Sequence, residues 1–185
     1  MRQQPTLETP RLILRPFDLA DARDVQRLAG DWAVADTTLV IPHPYEDGLA
    51  EQWISTHRPG FEAGALANFA IVVREPRELV GAIGLSIRQG FDRAELGYWI
   101  GKPYWGRGYC TEAGRAVVEF GFTSLDLNRI HAGHFARNPA SGRVMQKLGM
   151  TLEGTLRQHD KARGRYEDLV IYGLLRSEWH GRQPR

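Results

Sequence analysis

The chain has 185 residues, of which 42% are hydrophobic and 25% are charged, and this composition is ordinary for a globular protein. Its 24 Lys and Arg residues nearly balance its 22 Asp and Glu residues, which leaves a net charge of +2. Such a balance argues against nucleic acid or an anionic membrane as a partner.

The length predicts a single domain spanning residues 1–185, with an ordered core of about residues 9–180. Cys110 is the single cysteine, so no internal disulfide can form. The N-terminal sequence lacks the apolar run of a signal peptide, and no stretch approaches the roughly 20 apolar residues that span a bilayer. We therefore expect a cytoplasmic protein without a membrane segment. The six histidines form no metal-binding set, so we expect no metal.

The first third of the chain predicts one strand and two helices. Residues 11–17 alternate between apolar and basic side chains, as a half-buried strand does. Asp18 is placed to cap a helix over residues 19–30, whose apolar residues recur at helical spacing. A second helix is predicted over residues 45–64, and Pro59 should limit its length.

The middle of the chain predicts an antiparallel meander, because three apolar runs are joined by short turns. Helices and strands then alternate, and Asn138 and Gly149 mark the two ends of a short helix. These elements predict a mixed α/β (α+β) fold in which helices flank one sheet. The meander strands span residues 68–73, 79–88 and 93–101; the later elements are a helix over about 111–122, a strand over 129–135, a helix over 138–149, and two strands over 150–158 and 167–175 joined by a polar loop.

The stretch "WGRGYCTE", residues 105–112, is typical of an anion-binding turn before a helix. The first N–H groups of a helix lack intrahelical partners and carry the positive end of the helix dipole. Gly106 and Gly108 allow the preceding backbone to approach a ligand closely. The stretch therefore predicts a pyrophosphate site, with a tight strand-to-helix turn that binds nothing as an equal alternative at this point.

Two common nucleotide-binding loops fit this stretch poorly. A Walker A loop needs Lys followed by Ser or Thr after its last glycine, whereas here Arg107 stands between the two glycines. A dinucleotide fingerprint needs a third glycine, where this chain has Thr111, and it belongs to a parallel unit rather than to a meander. A nucleotide-binding phosphotransferase is therefore disfavoured.

Four segments, in order along the chain, carry a resemblance to a known family: "ETPRLILRPF", "AELGYWIGKPYWGRGYCTEA", "ARNPASGRVMQKLGM" and "GRYEDLVIYGLL". The chain resembles the GNAT superfamily of acyl-CoA-dependent N-acetyltransferases, and within it the branch that contains the ribosomal-protein N-terminal (Ala/Ser) acetyltransferases. The match covers nearly the whole chain. One departure lies in the acyl-CoA loop, where Trp105 replaces the usual Gln or Arg and Cys110 replaces Gly or Ala, while Gly108 is retained.

The resemblance implies acetyl-CoA as the cosubstrate and a mostly antiparallel central sheet. The CoA pyrophosphate would accept hydrogen bonds from backbone N–H groups of the loop. The pantetheine arm would pair with a strand edge in an opening where two strands splay apart. The implied acetyl-CoA contacts are Trp99, Ile100, Gly101, Trp105, Gly106, Arg107, Gly108, Tyr109, Cys110, Thr111, Asn138 and Ser141.

Glu95 is the candidate general base. Acyl transfer from a thioester to an amine needs a group that accepts the amine proton and donors that stabilise the leaving thiolate. Strand alternation puts Glu95 on one face with Gly97 and Trp99, and a carboxylate pushed toward the sheet interior would have a raised pKa. The resemblance assigns the general-base role to this position. The alternative is a surface glutamate paired with Arg93 or Arg88.

Asn138 and Ser141 begin a predicted helix, and both can act simply as capping residues. The resemblance gives Asn138 a pantetheine contact and gives Ser141 a hydrogen bond to the CoA sulfur. Cys110 at a helix start raises a nucleophile hypothesis. The small residues that the family tolerates there, and the lack of a neighbouring histidine, favour a packing role instead. We therefore expect direct transfer in a ternary complex.

The acceptor is predicted only as a class, a primary amine on a protein N-terminus or on a small molecule. In related enzymes the region between the two early helices helps to shape the acceptor site. This makes His43 and Tyr45 candidate substrate contacts, against the alternative of a rigid proline-flanked loop. A homodimer is compatible with the resemblance. The competing function is a CoA-binding regulatory module without catalysis.

Overall fold

An eight-stranded sheet forms the centre of the structure, a computed structural model that describes residues 3–179. Its strands are β1 (Leu7–Glu8), β2 (Leu12–Arg15), β3 (Leu66–Val73), β4 (Leu79–Arg88), β5 (Arg93–Ile100), β6 (Arg129–Phe135), β7 (Thr151–Ala162) and β8 (Arg165–Leu175). Their order is β1-β2-β3-β4-β5-β6-β8-β7. Every neighbouring pair is antiparallel except β5 and β6, which are parallel. The predicted mixed, mostly antiparallel fold is confirmed.

Helices cover both faces of this sheet. They are α1 (Ala22–Ala29), α2 (Trp32–Ala35), α3 (Leu49–Ser55), α4 (His57–Glu62), α5 (Tyr109–Thr123) and α6 (Pro139–Lys147). On one face the ring of Phe69 in β3 meets the ring of Phe120 in α5, with 5.7 Å between centroids. On the other face Ala70 of β3 packs in a cluster with Leu28 of α1. Because successive strand residues point to opposite faces, one apolar strand supplies two packing layers.

The predicted start of the first helix is confirmed. The Asp18 side chain accepts a hydrogen bond from the N–H of Ala20 at 2.8 Å. The Asp21 carboxylate accepts one from the N–H of Asp18 at 2.9 Å, which completes a capping box around a 3-10 turn. The helix α1 follows directly and buries its apolar residues against the sheet.

The single helix predicted over residues 45–64 is wrong in its extent, because two short helices occupy this region. Gly48 takes a φ of +82° just before α3, and Thr56 separates α3 from α4. Pro59 lies in the first turn of α4. At that position the N–H group that proline lacks would have no intrahelical partner, so Pro59 is accommodated near a helix start instead of ending a helix.

The polar loop predicted between the last two strands is mostly strand. The strands β7 and β8 continue to a two-residue turn at Arg163 and Gly164, both with positive φ, as hairpin turns that follow the sheet twist require. Nearly every residue of β7 is exposed, because it lies at the edge of the sheet. An edge strand of this kind carries no apolar alternation that a sequence pattern can reveal.

At the N-terminal side the sheet starts at Leu7, two residues before the predicted core. Residues 1–2 and 180–185, which include the last position of that core, lie outside the described residues. The single-domain interpretation stays a prediction. No helix within residues 3–179 is long and apolar enough to cross a membrane.

Candidate active site

An opening lies between the two parallel strands. Residues 93–95 of β5 pair with residues 129–131 of β6, and the pairing stops there although β5 runs on to Ile100 and β6 to Phe135. The two strands therefore diverge beyond Glu95. Backbone groups on this side of β5 lack a strand partner from that point onward, and they are available to an extended ligand.

The backbones of Leu96 and Tyr98, which the sequence analysis did not select as contacts, face this opening. The N–H of Gly101 donates to the carbonyl of Val80 in β4 at 2.9 Å. Since backbone direction alternates along a strand, residues 97 and 99 also face β4, whereas Leu96, Tyr98 and Ile100 face the opening. Of the three expected backbone contacts, Trp99, Ile100 and Gly101, only Ile100 faces it. Its carbonyl accepts a hydrogen bond from the Trp105 indole at 2.6 Å.

The predicted anion-binding turn precedes α5 and presents a row of free donors. Gly106 and Gly108 adopt φ values of +76° and +78°, which favour glycine. The helix begins at Tyr109, two residues earlier than predicted, so Tyr109, Cys110 and Thr111 form its first turn. The N–H groups of residues 107–111 make no hydrogen bond with any residue in the described range. Five adjacent free N–H groups suit an anionic ligand.

Arg11 anchors this turn, and the sequence analysis missed that role. Its guanidinium donates to the carbonyl of Arg107 at 3.0 Å and to the Glu112 carboxylate at 2.6 Å. It also stacks 5.0 Å from the centre of the Tyr109 ring. Burial acts to raise the pKa of Glu112, but hydrogen bonds from Thr9 and Arg11 outweigh it and hold this pKa below its usual range. The ion pair ties the turn to the start of β2.

Two side chains of the turn pack against neighbouring parts of the protein. The Arg107 side chain donates to the carbonyl of Pro103 at 3.2 Å and lies over the Tyr104 ring. Cys110 is half-buried, and burial raises the pKa of its thiol to about 12. Such a thiol stays protonated near neutral pH and is a weak nucleophile. This agrees with the expected packing role of Cys110.

A cavity of about 830 Å³ joins the opening to the sheet face that carries α1 and α3. Its lining includes Glu95, Tyr98, Trp53 of α3 and the segment 37–42. Of the candidate acceptor contacts, Tyr45 lines the cavity. His43 is not among the lining residues; its ring is hydrogen-bonded to the carbonyl of Gly30 at 3.0 Å and meets Trp32 edge-on.

Glu95 lies on the expected face but in a different environment from the one predicted. Its side chain is exposed to the cavity instead of being pushed into the sheet interior, because the buried residues of β5, Ala94 and Leu96, point to the α5 face. Within the described residues its carboxylate makes no hydrogen bond or ion pair, so the alternative pairing with Arg93 or Arg88 is absent there. Glu95 is thus free to meet a ligand in the cavity.

Asn138 and Ser141 lie at the start of α6, beside the diverging end of β6. The Asn138 side chain accepts a long hydrogen bond from the N–H of Ser141 at 3.4 Å, so it caps the helix as expected. The Tyr98 hydroxyl lies 2.9 Å from Oγ of Ser141 and 3.0 Å from its carbonyl oxygen. Burial raises the pKa of Tyr98 far above its usual value. The alternation in "ELGYWI" could have shown that Tyr98 and Glu95 leave β5 on opposite faces.

Comparison with known proteins identifies the family. Residues 11–151 match the family model described as an acetyltransferase (GNAT) domain. The chain belongs to the GNAT acetyltransferase family. The uncharacterized N-acetyltransferase p20 of Bacillus licheniformis is 37% identical over 179 residues, which cover 95% of this chain and 99% of that protein.

Two further GNAT relatives span the chain. The [ribosomal protein uS5]-alanine N-acetyltransferase of Escherichia coli is 26% identical, with 94% of this chain and 92% of that protein covered. The crystal structure of a GNAT-family acetyltransferase from Bacillus anthracis has a TM-score of 0.82 at 27% identity, covering 94% of this chain and all of that one. The predicted resemblance is confirmed, and the protein is an acyltransferase that uses acetyl-CoA.

The site geometry fits acetyl-CoA. Proteins of the same fold, 20% and 18% identical and both with a TM-score of 0.82, were solved with coenzyme A and with acetyl-CoA. These two likenesses show the fold alone. In this GNAT chain the fit rests on five N–H donors at the start of α5 that have no partner among the described residues, and on a strand edge at Leu96 and Tyr98 that β6 does not pair. The first suits a pyrophosphate and the second suits the amides of pantetheine.

Proposed function

We propose that this enzyme transfers the acetyl group of acetyl-CoA directly to a primary amine, on a protein N-terminus or on a small molecule, within a ternary complex. One observation carries the proposal: a single cavity contains the free carboxylate of Glu95 and reaches the unpaired edge of β5. An amine entering from the α1 and α3 side and a thioester lying in the opening would meet there.

The cosubstrate supplies an activated acetyl thioester, and the chain's own groups would hold it. The N–H groups of residues 107–111 would donate to its pyrophosphate, with Arg11 fixing their positions. The edge of β5 at Leu96 and Tyr98 would pair with the pantetheine amides. The amide nitrogen of Asn138, which its capping role leaves free, would donate to the same arm.

Glu95 would act as the general base. The attacking amine must lose a proton as its nitrogen forms the new bond to the acetyl carbon, and a carboxylate in the cavity can accept that proton directly or through a water molecule. Charged side chains among the described lining residues are the carboxylates of Glu95 and Asp160. A lining that carries negative charge favours a cationic amine over an anionic acceptor.

The leaving sulfur would lie in the opening, on its α6 side. As the bond between the acetyl carbon and the sulfur breaks, its electron pair stays on the sulfur, which therefore needs a nearby donor. Ser141 at the start of α6 is proposed to give that hydrogen bond. Because a thioester is already activated, no covalent acetyl-enzyme is needed, and burial, which raises the pKa of the Cys110 thiol, makes that thiol a weak nucleophile.

The name of one relative suggests an acceptor to test first, since the Escherichia coli relative is named as an N-acetyltransferase of alanine in ribosomal protein uS5. A cytoplasmic location and a homodimer stay predictions. The test is release of free thiol from acetyl-CoA across a panel of N-terminal peptides, polyamines and small amines. We expect release with at least one primary amine and none with its N-acetylated form. Binding of CoA without release for any acceptor would contradict the proposal and favour a regulatory module.

A further inference from the structure

The Tyr98 hydroxyl has two acceptors on one residue and a single proton to give. It lies 2.9 Å from Oγ of Ser141 and 3.0 Å from the Ser141 carbonyl oxygen. A carbonyl only accepts, whereas each hydroxyl both donates and accepts. Two arrangements of protons therefore satisfy the same heavy-atom geometry.

In the first arrangement Tyr98 donates to the carbonyl of Ser141, and the serine hydroxyl donates back to Tyr98. In the second arrangement Tyr98 donates to Oγ of Ser141, and the serine proton is free to point elsewhere. Only the second arrangement offers a donor to a ligand in the opening. The change between them rotates two hydroxyl groups and moves no heavy atom, and the one hydrogen bond that it gives up would be replaced by the bond from Ser141 to the ligand.

We propose that Tyr98 is a positioning residue that holds the Ser141 hydroxyl and frees its proton for the CoA sulfur when that sulfur becomes negative. This inference rests on the proposed function. Neither hydroxyl loses its proton in the process. The electron pair of the broken carbon–sulfur bond remains on sulfur, the thiolate accepts a hydrogen bond from Ser141, and it later takes a proton from solvent.

The surroundings of Tyr98 support a donor that is not an acid. Its side chain packs against the main core and contacts the α5 side of the sheet, where Cys110 is its titratable neighbour. Burial raises the pKa of both groups, so both remain protonated as a thiol in the opening begins to ionise. A tyrosine that keeps its proton can continue to donate it to Ser141.

The test compares the binding of CoA with that of desulfo-CoA, which lacks the sulfur, by calorimetry at pH 7 and pH 9. No acceptor is required, and desulfo-CoA cancels every contribution except the sulfur. A hydrogen bond to a charged group is worth enough to predict a preference for CoA of about tenfold at pH 9 in the wild type. The preference should be smaller at pH 7, where more of the free thiol is protonated.

Tyr98→Phe should reduce this preference to less than about twofold while leaving the affinity for desulfo-CoA unchanged. Ser141→Ala should do the same, and the double variant should lose no more than either single one. Tyr166→Phe removes an exposed hydroxyl in the β7–β8 hairpin and serves as the matched control. Circular dichroism checks that each variant is folded.

Four outcomes of these binding measurements would overturn different parts of the proposal. A full preference in Tyr98→Phe, with loss in Ser141→Ala, would overturn the role of Tyr98. A preference that survives in Ser141→Ala would also overturn it, and this outcome holds even if Tyr98→Phe does not fold. Equal binding of the two ligands by the wild type would remove the sulfur contact altogether. Failure to bind either ligand would refute the proposed function itself.

Discussion

Glu95 lies directly opposite His131, at the last paired position before β5 and β6 diverge. The His131 ring is half-buried, and its Nδ1 has no hydrogen-bond partner in the described part of the chain. Burial lowers the pKa of His131, and the nearby Glu95 carboxylate opposes that shift. The pair therefore places the Glu95 carboxylate beside the half-buried His131 ring at the edge of the opening.

The first prediction concerns Glu95. Glu95→Gln should lower turnover by at least about 100-fold, since general-base catalysis contributes that much or more. Its affinity for CoA should stay within about twofold, because the Glu95 side chain is not among the proposed CoA contacts. The measurements are steady-state thiol release with the best acceptor and calorimetry with CoA. Glu62→Gln, on an exposed face of α4, is the control. Unchanged turnover in Glu95→Gln would remove Glu95 from the mechanism.

The second prediction concerns the ion pair between Arg11 and Glu112. Arg11→Ala should weaken CoA binding by about fivefold to tenfold, since the turn at residues 107–111 loses its anchor and its N–H groups become less well fixed. Glu112→Gln should have a smaller effect in the same direction, because the amide still accepts one hydrogen bond. Calorimetry with CoA measures both.

A double-mutant cycle of Arg11 and Glu112 tests whether Arg11 supports CoA binding through its ion pair with Glu112. If Arg11 acts through Glu112, the double variant should bind CoA about as well as Arg11→Ala alone. Arg58→Ala, which breaks an exposed ion pair within α4, is the control and should not change CoA affinity. Fully additive losses in the cycle would mean that Arg11 acts independently of Glu112, through its hydrogen bond to the Arg107 carbonyl or through its own charge.

The third prediction concerns the wall of the acceptor cavity. Arg163, at the β7–β8 turn, donates to the carbonyls of Thr38 at 2.9 Å and Ile41 at 2.6 Å, and both of these residues line the cavity. Arg163→Gln should loosen the segment 37–42 and raise the KM for the acceptor several-fold, because its binding surface must then be ordered on binding. The affinity for CoA should not change.

Steady-state kinetics with a varied acceptor, and calorimetry with CoA, check this third prediction. Arg157→Gln, at an exposed position of β7, is the matched control. A normal acceptor KM in Arg163→Gln would show that the wall does not depend on the arginine. A loss of CoA affinity would show instead that Arg163 supports the CoA-binding part of the site and not the acceptor cavity.

The fourth prediction concerns stability at acid pH. His57 is buried, both of its ring nitrogens lack partners in the described residues, and it packs edge-on against Phe17 and Trp53. Burial lowers the pKa of His57 to about 4 from its usual 6.5. As pH falls below 6.5, His57 becomes protonated in the unfolded chain, whereas in the folded protein it becomes protonated only near pH 4. This linkage should lower the free energy of unfolding by about 3 kcal/mol over that window.

His57→Phe should abolish this part of the pH dependence while keeping the aromatic packing. Denaturant unfolding at pH 7 and at pH 4.5 measures it in both proteins. The acid titration of carboxylates is common to both and cancels in the difference. An equal loss of stability between pH 7 and pH 4.5 in the wild type and in His57→Phe would show that His57 does not cause this pH dependence.

Short-range patterns in the sequence predicted several features of the fold and of the site. The caps at Asp18 and Asn138, the turn glycines and the alternation along β5 are all short-range features, and each was predictable because its cause lies within a few residues. The same reasoning misjudged the environment of Glu95. Alternation states which face a residue is on, but not whether a helix covers that face or a cavity opens there.

The residues that sequence reasoning missed act over long distances. Arg11 meets Glu112 across 101 positions, and Tyr98 meets Ser141 across 43. No periodicity in the chain marks such partners, since the order of the strands brings them together. The Arg163 contacts arise in the same way, from a hairpin whose exposed edge strand left no apolar signal.

By itself the sequence determined the family, the mixed fold, the turn before α5 and the face of β5 on which Glu95 lies, because motif spacing and side-chain alternation are local properties of the chain. The tertiary structure alone decided which backbone groups are free. That depends on where two parallel strands cease to pair, and such divergence is a property of the whole sheet. It also decided that Ser141 at the start of α6 meets Tyr98, on the face of β5 opposite to Glu95, since only the packing of α6 on the sheet brings these two distant residues together.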